Sequence, residues 1–189
     1  MIGGERITSF TQGTPNANKV TDIYDELVDD LLRYPWNFAT KRAKLAQSST
    51  APAFEFDYAY ALPADWIYTV SVHGDDSGIS TIFYREEQHE GQNSILTSVD
   101  QVYCRYVARV TDPNLMSGDF RAALTSSLAR ELAITVASSN VEYELMEKRA
   151  KQDLAKARST DGLGSFPEMR PRGSWVNSRS GRRRDWIND

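Results

Sequence analysis

The chain has a single cysteine, Cys104, and can therefore form no internal disulfide. A fold without staples fits a reducing compartment and must be held by its core. Cys104 lies in the alternating run Val102-Tyr103-Cys104-Arg105-Tyr106-Val107, where a small buried hydrophobe on a strand is the expected reading. Histidine is almost as scarce, with only His73 and His89. There is no His-x-x-His or Cys-x-x-Cys spacing of the kind that closes a metal site. His89, flanked by Glu86 and Glu90, reads as part of a solvated turn. Also missing are the glycine-rich phosphate loops and the Gly-x-Ser-x-Gly elbow. The adjacent pairs Asp29-Asp30 and Asp75-Asp76 point apart on a helix or strand, which makes them poor general acid/base partners. These absences lead to an expectation of no catalytic, cofactor-binding or metal residues, and of a protein that is not an enzyme.

No run approaches the ~20 apolar residues that cross a bilayer. Met1 to Arg6 lacks the charged-then-apolar order of a signal peptide. One further absence is local. From Arg170 to Arg184 there are six arginines (Arg170, Arg172, Arg179, Arg182, Arg183 and Arg184) and no acid. That window carries +6, which leaves −10 on the rest of a chain whose net charge is −4. An acidic body argues against a general nucleic-acid binder, whereas the basic end seeks an acidic surface or phosphate.

What is present is regular. The 189 residues suit one domain, or a small core with an insertion, able to bury roughly 70% of the unfolded surface. Thr14-Pro15 should cap and open a helix. Val20, Ile23, Tyr24, Leu27, Val28, Leu31 and Leu32 recur at helical spacing, and Tyr34-Pro35 ends the run. Phe54, Phe56, Tyr58 and Tyr60 alternate with polar or small residues and predict a strand. The acids between them disfavour a base-stacking platform, so a sheet core or a subunit contact is expected of Phe54 and Tyr58. Leu62 to Asp65 is a turn. Strands are expected over 66–72, 79–85, 94–97 and 102–107. A helix capped by Ser117 or Asp119 should carry Phe120, Leu124, Leu128, Leu132 and Val136 on one side. Ser138-Ser139-Asn140 should break it. A last helix should run from Val141 to Arg158 with Leu145, Met146, Ala150 and Leu154 inward. Beyond Ser159, glycines and prolines predict an arm too polar to pack alone.

The fold class expected is therefore α+β. An amphipathic helical bundle body, 1–48 and 110–158, would carry an inserted small antiparallel β module, 49–109. An extended C-terminal arm, 159–189, would follow. In the arm, Trp175 and Trp186 are the natural anchors, and the arginines between them can grip carboxylates.

Three stretches, taken in order, resemble a known family. They are Glu5 to Phe10 leading to Tyr34-Pro35-Trp36-Asn37-Phe38-Ala39, then Tyr58-Ala59-Tyr60-Ala61-Leu62-Pro63-Ala64-Asp65, then Val110-Thr111-Asp112-Pro113. Together they resemble the head-to-tail adaptor, or tail tubular protein A, family of short-tailed bacteriophages, over roughly residues 5–158. The resemblance implies a structural ring of about twelve subunits below the portal. Such a ring would join the portal to the tail nozzle protein and let double-stranded DNA pass unread. The location implied is the head-tail junction of the virion, after assembly in the host cytoplasm. It assigns structural roles to Pro35, Trp36, Asn37, Phe38, Tyr60, Leu62, Pro63 and Asp65. Portal binding is expected of the arm residues Phe166, Arg170, Arg172, Trp175, Arg179, Arg182, Arg183, Arg184 and Trp186, and tail or subunit contact of Phe54 and Tyr58. The alternative expectation is a nucleic-acid-binding accessory protein using the basic end.

Overall fold

A computed structural model describes residues 12–135 and 140–164. Helix α1 spans Pro15–Leu32. Thr14, in extended backbone, accepts a hydrogen bond from the Ala17 amide through its side chain, and Pro15 supplies a first-turn residue that needs no amide partner. Val20, Leu27, Val28, Leu31 and Leu32 form its buried stripe. A short 3-10 turn, Asn37–Ala39, leads into β1, Thr40–Lys44. Then follow β2, Tyr58–Ala61; β3, Trp66–His73; β4, Arg85–His89; β5, Gln92–Thr97; and β6, Tyr103–Ala108. Helix α2, Gly118–Thr135, starts where Ser117 Oγ accepts from the Phe120 amide at 3.2 Å. Helix α3 runs Asn140–Leu163.

The strands form two antiparallel three-stranded sheets, ordered β1-β6-β3 and β2-β5-β4. The first sheet is a wall shared by two cores. On one face Val107, Ile67 and Val70 meet Leu27, Leu31, Trp36, Phe120 and Ala157 of the helical side. On the other, Val72, Cys104, Tyr106 and Ala108 meet Tyr60 and Ile95 of the second sheet. Alternation along β6 divides its side chains between the two cores.

This arrangement corrects the expected fold class. The described residues form three helices with two three-stranded antiparallel sheets, not a helical bundle body with a small inserted β module. The physical reason is that Lys41-Arg42-Ala43-Lys44, expected inside the helical body, is strand β1 and pairs with β6 from Thr40↔Val107 to Lys44↔Tyr103.

Smaller differences have local causes. The strand expected from Phe54 starts only at Tyr58, because Glu55 takes φ 69°, outside any strand. The strand expected over 79–85 is reduced to one bridge, His73↔Thr81. The charged run expected as a turn is instead β4, joined to β5 by a two-residue hairpin, Glu90-Gly91, at φ 51° and 76°. Those positive angles suit the twist of the flanking strands. Helix α3 continues five residues past Arg158, through Leu163, so the arm does not begin at Ser159. Leu145, expected inward, is 60% exposed. The expected helix break at Ser138-Ser139 and the Val136 contact lie outside the described residues.

Candidate functional site

The residues singled out by sequence fall at two joints between elements. The first follows α1. Trp36 is fully buried, and its indole N–H donates to the Leu31 carbonyl at 2.7 Å. This satisfies a carbonyl left over at the end of α1 and turns the ring edge-on to Phe120, with centroids 5.1 Å apart. Phe38 packs on the same Phe120 at 5.0 Å. Asn37 reaches α3: its amide donates to the Asp161 carboxylate at 3.1 and 3.2 Å, and its Nδ2 donates to the Asp161 carbonyl at 2.7 Å. Burial raises the Asp161 carboxyl above its usual range, against the opposing Asn37 hydrogen bond. Pro35 is exposed and precedes the buried tryptophan. Trp36, Asn37 and Phe38 thus gather the end of α1, the start of α2 and the end of α3.

The second joint is the turn from β2 to β3. Tyr60 is buried between the sheets and its hydroxyl donates to the Val99 carbonyl at 2.9 Å. The Leu62 amide donates to Asn93 O at 2.9 Å, and Pro63 O accepts from the Trp66 amide at 3.0 Å, closing the turn. Asp65 then ties three partners. Lys41 Nζ of β1 lies at 2.7 Å, the Tyr106 hydroxyl of β6 donates at 3.1 Å, and the Asp65 carbonyl accepts from the Arg109 amide at 2.6 Å. Burial pushes the Asp65 carboxyl up, but the hydrogen bonds from Lys41 and Tyr106 and the lysine charge outweigh it and hold the group below its usual range. Burial first, then the Asp65 charge, push Tyr106 up to about 12. Arg109 carries the link to α1 through ion pairs with Asp29 at 2.8 Å and Asp25 at 3.4 Å.

Of the expected contact residues, Phe54 is 80% exposed, whereas Tyr58 is half-buried against the inter-sheet core. Phe83, which sequence reasoning passed over, is exposed and stacks at 5.8 Å on Phe56. The expected portal-binding residues, Phe166 through Trp186, lie outside the described residues.

A cleft of about 390 Å³ opens on the first sheet, lined by Arg42, Lys44, Ser71, His73, Asp75 and Arg105 among others. The register puts Arg42 directly opposite Arg105, and Arg105 opposite Ser71. The next row holds Lys44, Tyr103 and His73. Sequence reasoning missed this cluster, although Arg42-x-Lys44 and the alternation around Cys104 put all three cations on the face away from the inter-sheet core.

Burial pushes the Cys104 thiol up to about 11, so it carries almost no thiolate near neutrality. No three metal-capable side chains gather among the described residues, and none of the described helices is long and apolar enough to cross a membrane. No family model matches the chain, and no curated protein matches it.

Proposed function

We propose that the chain is a structural subunit of a bacteriophage head-to-tail adaptor, forming a ring below the portal that joins it to the tail nozzle and lets DNA pass. The observation that carries the reading is the coincidence of motif and joint. Pro35 to Phe38 and Tyr60 to Asp65, the stretches behind the family resemblance, are the places where α1, α2, α3 and both sheets are tied together. Motifs with that role belong to a scaffold, whose task is to hold surfaces at fixed angles.

In this reading neighbouring subunits meet through unlike surfaces, since a heterologous contact closes into a ring or continues as a fibre. Phe54 and Phe83 offer exposed apolar area to the next tail component. The segment carrying Trp175, Trp186 and the six arginines supplies the portal contact, with tryptophan as anchor and guanidinium groups gripping carboxylates. Electron microscopy of the chain mixed with its portal tests the proposal. Removal of residues 165–189 should leave the body folded and sharply reduce portal attachment. Normal docking of the truncated chain would assign the portal contact to the body. Tight DNA binding by a monomer that ignores the portal would favour the accessory-protein reading.

A further inference from the structure

Between α2 and α3 lies a groove of about 530 Å³, lined by Ala122, Thr125 and Ala129 of α2 and by Leu145 and Met146 of α3. Helix α2 gives Phe120, Ala123 and Leu124 to the core it shares with α1, so the helical period puts the groove residues on its opposite side. Charge selects nothing in this groove. Arg121, Arg149, Glu142 and Asp153 also line it, two of each sign, and Arg149 pairs with Asp153 at 3.6 Å. What it offers is apolar surface: Leu145 is 60% exposed, and Val141, one turn before it, is 79% exposed.

The same face of α3 ends on a third exposed apolar residue. Leu163, 87% exposed, lies about five turns, or about 27 Å, beyond Leu145 and therefore on the same side of the helix. Between the two, Lys156 reaches Asp119 of α2 at 3.2 Å, so this strip of α3 borders α2 beyond the groove as well. The inward residues Leu154 and Ala157 belong to the helix-side core and leave the strip uncovered by it.

We infer that residues 165–189 turn back along this strip and seat Trp175 in the groove between α2 and α3. The chain leaves α3 at Leu163, the foot of the strip. From there to Trp175 it can span up to about 40 Å, which covers the return of about 27 Å and leaves slack for a turn at Gly164 and Pro167. Phe166 is too near the foot to reach the groove, and Trp175 is the first aromatic that does. The N-terminal segment enters through α1, on the far side of α2. The groove suits an indole: Leu145 and Ala129 meet its apolar body, the Met146 thioether makes a favourable sulfur contact with an aromatic ring, and the rim guanidinium groups can lie over its face. The inference does not depend on the adaptor reading. Where that reading holds, the portal draws the segment out of the groove.

Fluorine NMR of the full chain labelled with 5-fluorotryptophan tests it. The chain has four tryptophans, Trp36, Trp66, Trp175 and Trp186, and single replacements by phenylalanine assign the four lines. The Trp175 line should lie away from its position in urea. Leu145→Arg and Thr125→Arg, one on each wall and both at exposed positions, should each return it to that position and leave the Trp36 and Trp66 lines in place. A wild-type Trp175 line already at its urea position would overturn the inference, as would a displaced line that neither variant moves. A Trp175 line that returns on dilution would assign the groove to a second copy and overturn the fold-back. A Trp186 line that responds to both variants while Trp175 does not would overturn the choice of anchor.

Discussion

Trp36 does two jobs at one position, filling the junction of α1 and α2 and satisfying a helix-end carbonyl. Trp36→Ala should cost about 3–5 kcal/mol, the usual range for a large buried aromatic. Trp36→Phe keeps much of the ring but leaves the Leu31 carbonyl without its donor, a loss of about 1–3 kcal/mol. Urea unfolding monitored by circular dichroism measures both. At the second joint the signs of the shifts set a pH window. The Asp65 carboxyl lies below its usual range, so its stabilisation is present above the unfolded value near 4 and is lost as pH falls through the folded value. Tyr106 is raised to about 12. Its contribution is complete below the unfolded value of about 10 and disappears as pH climbs towards the folded value. Stability against pH should therefore fall at both ends. Asp65→Asn should flatten the acid limb and Tyr106→Phe the alkaline one. Unchanged limbs in both variants would mean that the Asp65 cluster does not tie β1 to β6.

Among the elements, α1 was fully legible, because its cap, proline and apolar stripe all agree. Leu27→Asp should destabilise by several kcal/mol, since Leu27 is buried in the helix-side core and the charge would have no partner there. Unchanged melting would mean that the helix face is assigned wrongly. The strands that sequence reasoning missed share one property. Lys41-Arg42-Ala43-Lys44 and Arg85-Glu86-Glu87-Gln88-His89 are β1 and β4, each at one edge of its three-stranded sheet. Edge strands are charged to discourage further pairing, and that charge removes the apolar alternation by which strands are recognised. Phe54-Glu55-Phe56 failed in the opposite way, with good alternation interrupted by a positive φ that composition does not reveal. The last turn of α3 was hidden because Gly162 and Gly164 suggested a stop, whereas Asn37, distant in sequence, holds Asp161. Asp161→Ala should therefore speed amide exchange at Asn37 and in the last turn of α3 and leave α1 unchanged. At the β4–β5 hairpin, an added Cβ on Gly91 would meet nothing within 4 Å. Gly91→Ala should therefore cost only the conformational penalty of a left-handed residue, about 1 kcal/mol, read from the urea midpoint.

At the scale of the whole molecule, the first sheet fixes the helical side and the second sheet to each other, because side chains on its two faces belong to two different cores. Such a shared wall suits a subunit that must present unlike surfaces at a set angle to its neighbours. The joints were legible as motifs through the family resemblance, but their partners were not. Asp161, Lys41 and Tyr106 come from positions that no local pattern connects. The cleft that Arg42, Lys44 and Arg105 line was half legible, since alternation puts the three on one face but they meet only once β1 and β6 are in register. The central claim is that this chain is a ring-forming adaptor seated on a portal. Electron microscopy of the full chain mixed with its portal tests it most directly. The account predicts a closed ring of head-to-tail copies bound on one face to the portal, with a continuous axial channel. A two-fold dimer, an open filament, or chains that leave the portal bare would contradict it.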